Sequence, residues 1–255
     1  MLAYEAFGRG TPVVLLHAFP LSSQMWAREA DALKEILQVI LPDLPGFGKS
    51  PRQTQPSLPE MAVEVAQLLD YLGIQKPVFI GGLSMGGYVT FEFLRQFPER
   101  VCRLGFFSTR PAADTPEARG GRLQTVEKIK NEGLPAFADK MLTNLLGKTA
   151  LKDKPLLVRQ VKEMILANQA GGITDALRAM AERRDSTDLL KWVQEPSLVI
   201  AAEEDSFVPL EEAESFAQEI PGAEFHVMKQ TGHLANLENP AAFQILLENF
   251  LTQNL

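Results

Sequence analysis

The run Gly81-Gly82-Leu83-Ser84-Met85-Gly86-Gly87 constrains this chain more than any other segment. It follows a short apolar run, Val78-Phe79-Ile80, and leads into a helical pattern over 86–97. A serine bracketed by glycines, with a strand before and a helix after, fits a sharp strand-to-helix turn. Side chains at positions 82 and 86 would collide across such a turn, and glycine removes both. Ser84 then sits at the tip in a strained backbone conformation. The start of the helix points N–H groups and the positive end of its dipole toward that tip.

The rest of the chain supplies a framework for this turn. Short apolar runs end abruptly: Val13-Val14-Leu15-Leu16 at His17, Val39-Ile40-Leu41 at Pro42, and Leu104-Gly105-Phe106-Phe107 at Ser108. Two more are Leu198-Val199-Ile200-Ala201-Ala202 and Phe225-His226-Val227-Met228. Most are continuous rather than alternating, as expected of strands buried on both faces of a parallel sheet. Helical patterns cover 23–37, 58–72, 86–97, 209–220 and 240–251. The alternation predicts an α/β fold with a mostly parallel central sheet flanked by helices. From 111 to 190 the alternation fails, with helical patterns over 116–130, 134–146, 155–168, 174–183 and 187–193 and no convincing strand. That block is too long for a loop. It is expected to be an inserted helical lid on a core made of 1–110 and 191–255.

Composition narrows the function classes. With 45% hydrophobic and 22% charged residues in 255, a large buried core is expected and disorder is not. The net charge of −7, without a basic stripe, argues against a nucleic-acid partner. The single cysteine, Cys102, forbids an intramolecular disulfide and suits a reducing compartment. The N-terminus lacks a basic start followed by an apolar run. No apolar run approaches the roughly 20 residues that span a bilayer. The expectation is a cytoplasmic protein without a membrane partner, as a monomer or homodimer.

A serine hydroxyl needs a base to act as a nucleophile. The chain has three histidines. His226 falls inside a strand pattern, and His17 closes the first strong strand. His233 lies in the loop Thr231-Gly232-His233-Leu234 just after the last strand, which selects it as the base. An orienting carboxylate should follow a strand at the same sheet edge. Glu203, Glu204 and Asp205 all qualify by position. Asp205 is preferred because Asp205-Ser206-Phe207-Val208-Pro209 leads into a helix, leaving the two glutamates as surface acids. No metal-ligating cluster is visible, and no cofactor is expected. Gly46-Phe47-Gly48-Lys49-Ser50 lacks phosphate-loop spacing, because Asp stands at position 43.

Taken together these segments resemble the α/β-hydrolase family over essentially the full length. His17-Ala18-Phe19-Pro20 is similar to its His-Gly-X-Pro loop, and Asp43 to Ser50 to its Asp-X-X-Gly-X-Gly-X-Ser loop. The order Ser84, Asp205, His233 is the family order. The resemblance implies an oxyanion hole from the Phe19 and Met85 N–H groups, and a structural role for His17. Ala18 departs from the family glycine: it keeps the N–H but narrows the backbone. The implied activity is hydrolysis of a small to medium carboxylic ester through an acyl-enzyme. Enol-lactone hydrolases and carbon–carbon bond hydrolases share the triad, and some ligand-binding signalling proteins share the fold. Ser84 argues against the dehalogenases and epoxide hydrolases, which use an aspartate nucleophile.

Of the apolar residues of the lid, most of Phe137, Met141, Leu142, Leu145, Met164, Ile165 and Met180 should pack lid on core. Phe137 and Met141, with Phe19, Phe207 and Leu234, are candidate pocket residues. Arg110 is placed to meet a substrate carboxylate, although a solvated face is the plainer expectation for it and for Arg183-Arg184-Asp185.

Overall fold

A computed structural model describes residues 1–253. Among these, seven strands form one sheet: β1 (Tyr4–Phe7), β2 (Thr11–Leu16), β3 (Leu37–Pro42), β4 (Val78–Leu83), β5 (Val101–Phe107), β6 (Ser197–Ala202) and β7 (Glu224–Met228). Their order is β1-β3-β2-β4-β5-β6-β7. Only β1 runs antiparallel, against β3. It is an edge strand with no fully buried residue, so it leaves no continuous apolar run in the sequence.

Strands β2 to β6 read as continuous runs because both faces are largely covered, whereas β7, the other edge strand, buries only Met228. Val14, Leu16, Ile40, Ile80 and Phe106 pack into one cluster, with helix residues such as Val65, Phe91 and Phe216. Their neighbours Val13, Leu15, Val39, Phe79 and Phe107 pack on the opposite face, with Trp26, Phe243 and Phe250. The two-residue period of a strand is thus present but hidden, since each half meets its own layer of helices.

The core helices are α1 (Ala27–Leu33), α2 (Leu58–Tyr71) and α3 (Met85–Gln96) before the helical block. Within the block lie α4 (Pro116–Leu145), α5 (Lys148–Asp153), α6 (Pro155–Leu166), α7 (Ala170–Ala181) and α8 (Thr187–Leu190). After it come α9 (Leu210–Glu219), α10 (Ala235–Glu238) and α11 (Pro240–Thr252). The start of α2 shows why proline marks a helix here. Ser57 and Glu60 close a capping box while Pro59 sits in the first turn, where no N–H is missed.

Several boundaries differ from the sequence expectation; α7 starts four residues before the expected 174 and α8 ends at Leu190 rather than 193. The helix expected over 23–37 is a 3-10 turn, Ser23–Trp26, followed by α1, and Leu37 already belongs to β3. Leu37 packs on the same sheet face as Val39 and Leu41, so strand periodicity claims it. The two helices expected over 116–130 and 134–146 form α4, interrupted at Gly133, whose φ of 82° no helix accommodates. Helix α5 breaks what looks like a loop. No strand occurs between β5 and β6 among the described residues.

The turn from β4 to α3 is as tight as its glycines imply. A Cβ at Gly82 would lie 2.1 Å from the Gly86 carbonyl carbon, and one at Gly86 would lie 2.3 Å from the Leu16 oxygen. Both obstacles are backbone atoms, so neither can yield cheaply. Gly82→Ala is therefore expected to cost several kcal/mol, at the upper end of single substitutions. Gly120→Ala, in α4 with open space around it, is expected to add roughly 0.5–1 kcal/mol. Thermal unfolding of the two variants checks both; a Gly82→Ala protein as stable as the parent contradicts the steric account.

A buried acid lies beneath this core. Glu29 of α1 is 1% exposed, with the side chain of the buried Asn236 as its polar neighbour. Burial pushes its carboxyl from 4.5 to about 8. The folded state thus holds a proton that the unfolded chain releases, so this group's contribution to stability is complete below about 4.5 and is lost as pH rises through about 8. Glu29→Gln keeps the shape and removes the titration. Its melting temperature should match the parent near pH 4 and exceed it at pH 9; parallel melting curves across that range would refute the assignment.

Candidate active site

The parallel strands deliver their C-terminal ends to one edge, and the chain turns there into the loops that carry Phe19, Ser84, Arg110, Asp205 and His233. Ser84 caps α3 with φ 56° and ψ −111°, a conformation that L residues rarely adopt. Thr109 supports it: its hydroxyl donates to the Ser84 carbonyl at 2.9 Å.

His233 is 2% exposed at its side chain and Asp205 1%. The His233 Nδ1–H donates to both carboxylate oxygens of Asp205, at 2.9 and 2.8 Å. That partner fixes the tautomer and leaves Nε2 as the free nitrogen. The Phe207 and Val208 amides donate to Asp205 Oδ1 at 2.8 and 3.1 Å. Burial raises the Asp205 carboxyl, but the imidazole and the two amides outweigh it and hold the group below the usual carboxylate range. The Phe207 ring stands edge-on to His233 at 4.8 Å.

Ser84 and His233 line the same cavity, of about 490 Å³. Among the described residues no hydrogen bond joins their side chains. Catalytic contacts of this kind often tighten only when substrate is bound. Neither the Phe19 nor the Met85 amide meets an acceptor among the described residues, so both are free to donate.

The loops around these groups are fastened by buried side chains. The His17 Nδ1–H donates to the Ala18 carbonyl at 3.0 Å, and its Nε2 accepts from the Leu44 amide at 2.9 Å. Burial lowers its pKa, so the neutral ring is favoured. Asp43 accepts from the Ser23 and Lys49 amides at 2.8 and 2.9 Å. Ala18 is not among the residues of positive φ, and its methyl group is buried in the core. Alanine therefore brings no backbone strain where the glycine usually stands.

Of the candidate pocket residues, Phe19, Phe207, Phe137, Met141 and Arg110 line the cavity. Leu234 does not. It is fully buried in the core beneath the His233 loop, because the residue after the histidine turns inward to anchor that loop. Leu142, Leu145, Met164 and Ile165 pack into the same core cluster, whereas Met180 faces the cavity. Arg110 lines the cavity but is already paired with Glu212 at 3.0 Å.

Arg183 is not on a solvated face: its side chain is 4% exposed, ion-paired with Asp114 and stacked over Tyr88 at 4.3 Å. Arg184 is paired with the buried Glu92. Glu204 is not a plain surface acid either. It accepts from the Thr149 amide and hydroxyl at 2.9 and 2.7 Å, tying α5 to the core.

Sequence reasoning missed Glu238. This buried carboxylate accepts from the Gly232 and Gly147 amides at 2.9 and 3.1 Å, joining the His233 loop to the end of α4. Burial pushes its carboxyl up. Nothing in the local sequence marks it, since its partners come from a loop six residues back and a segment 91 residues away.

The family model for the alpha/beta hydrolase fold matches residues 11–240. The chain belongs to the α/β-hydrolase family. A thermophilic esterase from Thermogutta terrifontis, whose structure holds malate, superposes with a TM-score of 0.96 at 36% identity, covering 99% of this chain and 93% of that one. The dihydrolipoyllysine-residue acetyltransferase component of the acetoin cleaving system of Pseudomonas putida is 31% identical over 90% of this chain. This chain spans 60% of that longer protein. A 2-hydroxy-6-oxononadienedioate/2-hydroxy-6-oxononatrienedioate hydrolase of Paraburkholderia phymatum is 29% identical, over 98% of this chain and 90% of that relative.

Removing the Glu238 side chain leaves two buried N–H groups without an acceptor. Glu238→Ala should cost about 1–3 kcal/mol and lower turnover, while Glu238→Gln, which still accepts, should lose less of both. Urea denaturation and initial rates on the same preparations check this. Equal losses in the two variants would show that the amide bonds are not what matters.

Proposed function

We propose that this hydrolase is a serine carboxylesterase with Ser84 as nucleophile, His233 as general base and Asp205 as its orienting partner. The observation that carries the reading is the bidentate His233–Asp205 pair facing the same cavity as a strained, strand-to-helix serine. His233 Nε2 takes the Ser84 proton as Oγ attacks the ester carbonyl. The Phe19 and Met85 amides, which have no other acceptor, receive the negative charge that forms on oxygen. His233 then gives the proton to the leaving alcohol, and water cleaves the acyl-enzyme by the same route. Asp205 keeps the imidazole aligned and stabilises its charged form.

The helical block from α4 to α8 serves as the lid, and it contributes Phe137, Met141, Leu177 and Met180 to the cavity. With Phe19 and Phe207 these make an apolar wall suited to a small or medium acyl or alkyl chain, the flexible methionines adapting to its shape. The substrate is a small-molecule ester.

Carbon–carbon bond hydrolysis is a second reading, favoured by the similarity to the 2-hydroxy-6-oxononadienedioate/2-hydroxy-6-oxononatrienedioate hydrolase of Paraburkholderia phymatum. Both reactions use the same groups, so the leaving group decides between them.

Ser84→Ala should lower kcat on p-nitrophenyl esters by at least about 10³-fold while leaving the fold intact. A panel of increasing chain length, with a lactone and a vinylogous diketone added, separates the readings. Fast, chain-length-dependent ester turnover supports the esterase, and turnover confined to the diketone supports the carbon–carbon hydrolase. A stoichiometric burst without turnover would mark a ligand-binding protein and end the esterase assignment.

A further inference from the structure

We propose that the preferred substrate is an ester that carries a second, anionic group, a carboxylate, seated against Arg122, Lys128 and Lys140 of α4. The proposal rests on the acyl-transfer reading of Ser84 and concerns what fills the cavity above it.

The chain has a net charge of −7, yet its catalytic cavity has the opposite sign. Four cationic side chains line it, Arg110, Arg122, Lys128 and Lys140, against one acid, Asp114. Asp114 does not cancel them. It is shared by Arg122, at 2.6 Å, and by the buried Arg183, so the three groups together keep one positive charge. Glu212 neutralises Arg110. Lys128 and Lys140 have no acid in ion-pair contact among the described residues. The acids next to them along the helix, Glu127 and Asp139, are engaged by Lys130 and Lys162. Glu132 is the remaining acid nearby, lining with both lysines a side cavity of about 100 Å³. The balance over the cavity is positive.

The placement is periodic. In the first half of α4, Gly121, Arg122, Thr125 and Lys128 follow the spacing of one helix face, and all four line the cavity. In the second half, Phe137, Lys140, Met141 and Asn144 do the same. The break at Gly133 lets both faces address one space. At about 1.5 Å per residue, Arg122 and Lys128 lie about 9 Å apart along the axis, a row of cations rather than a single point.

Arg122 is the pre-oriented member: its Nε and Nη2 donate to Asp114 at 2.6 and 3.4 Å, so it meets an incoming carboxylate through Nη1, whose present neighbour is the Met180 sulfur at 3.4 Å. The exposed lysines add a field that concentrates anions at the cavity. In hydrolysis of such a half-ester the acyl–oxygen bond breaks, the alcohol departs with a proton, and water supplies the hydroxyl of the new acid. The distal carboxylate takes no part in bond breaking and acts through binding alone.

The test compares monomethyl and dimethyl esters of a series of straight-chain dicarboxylic acids. At low salt the monomethyl esters should have a kcat/KM at least about tenfold higher, expressed mainly in KM. The preference should shrink in roughly 0.5 M NaCl, where exposed charges are screened. Combining Lys128→Glu with Lys140→Glu should cut the mono-to-dimethyl ratio at least about tenfold. Combining Lys76→Glu with Lys191→Glu, the same change in net charge at exposed positions that do not line the cavity, should leave the ratio within about twofold. Equal turnover of the two esters by the native protein, or a ratio that survives both salt and the α4 charge reversal, overturns the proposal. Cleavage of p-nitrophenyl acetate without the anionic preference overturns it while sparing the esterase reading. Failure on every ester overturns both.

Discussion

The close approach of Gly82 and Gly86 across the β4–α3 turn is the contact on which the site depends. It brings a helix start within touching distance of the end of a buried strand, and it forces Ser84 into a left-handed conformation at the tip. A backbone in that state persists only where its surroundings over-determine it. Here the surroundings are the Leu16 carbonyl beneath Gly86, the Thr109 side chain beneath Gly87 and the bond from Thr109 to the Ser84 carbonyl. Each comes from a neighbouring parallel strand or its following loop. The strain at one residue is held by three strands, which is why a sheet of this order is needed to display a single hydroxyl.

The remaining loops are held by a second device, buried or half-buried carboxylates that accept backbone amides. Asp43 does this for the loop after β3, Asp205 for its own turn, Glu204 for α5 and Glu238 for the His233 loop. A carboxylate accepts several N–H groups at once, so it can tie together segments far apart in sequence. Glu238 joins the His233 loop to the helical block at a point where Gly147 and Gly232 pack so closely that a Cβ on Gly232 would lie 2.1 Å from the Gly147 nitrogen. The histidine and the wall of the cavity therefore share one anchor.

What is legible in the sequence follows from how local each cause is. Ser84 is readable because the steric demand of its turn falls on residues two positions away. Strands β2 to β6 are readable because burial on both faces writes an unbroken apolar run, while β1, half-exposed at an edge, writes nothing comparable. His233 is reached because the chain offers few histidines, and Asp205 because it opens the turn into α9. The causes that stay hidden are those whose partners are remote. Leu234 looks like a pocket residue by adjacency to His233, but adjacent residues in a loop point in different directions, and this one points into the core. Arg183 looks solvated because its partner Asp114 lies 69 residues earlier. Glu238 looks like an ordinary helix acid until the amides it accepts are brought to it by the fold.

This difference in locality also separates the chemistry from its selectivity. The proposed reacting groups stand at strand ends, where a strand and its following loop determine position almost alone. The walls of the cavity come largely from α4 and α7, whose placement depends on packing between helices and on the single break at Gly133. A helical block joined to the core through polar anchors such as Glu204 and Glu238 can exchange its inward-facing residues without disturbing the elbow. The positive lining of the cavity in an acidic protein is such a choice. Nothing in the folding of the core requires Lys128 or Lys140, both of which are exposed and neither of which is in ion-pair contact with an acid among the described residues. Like charges placed close together on one wall repel one another and weaken the fold slightly. In the proposed complex the substrate carboxylate offsets that repulsion.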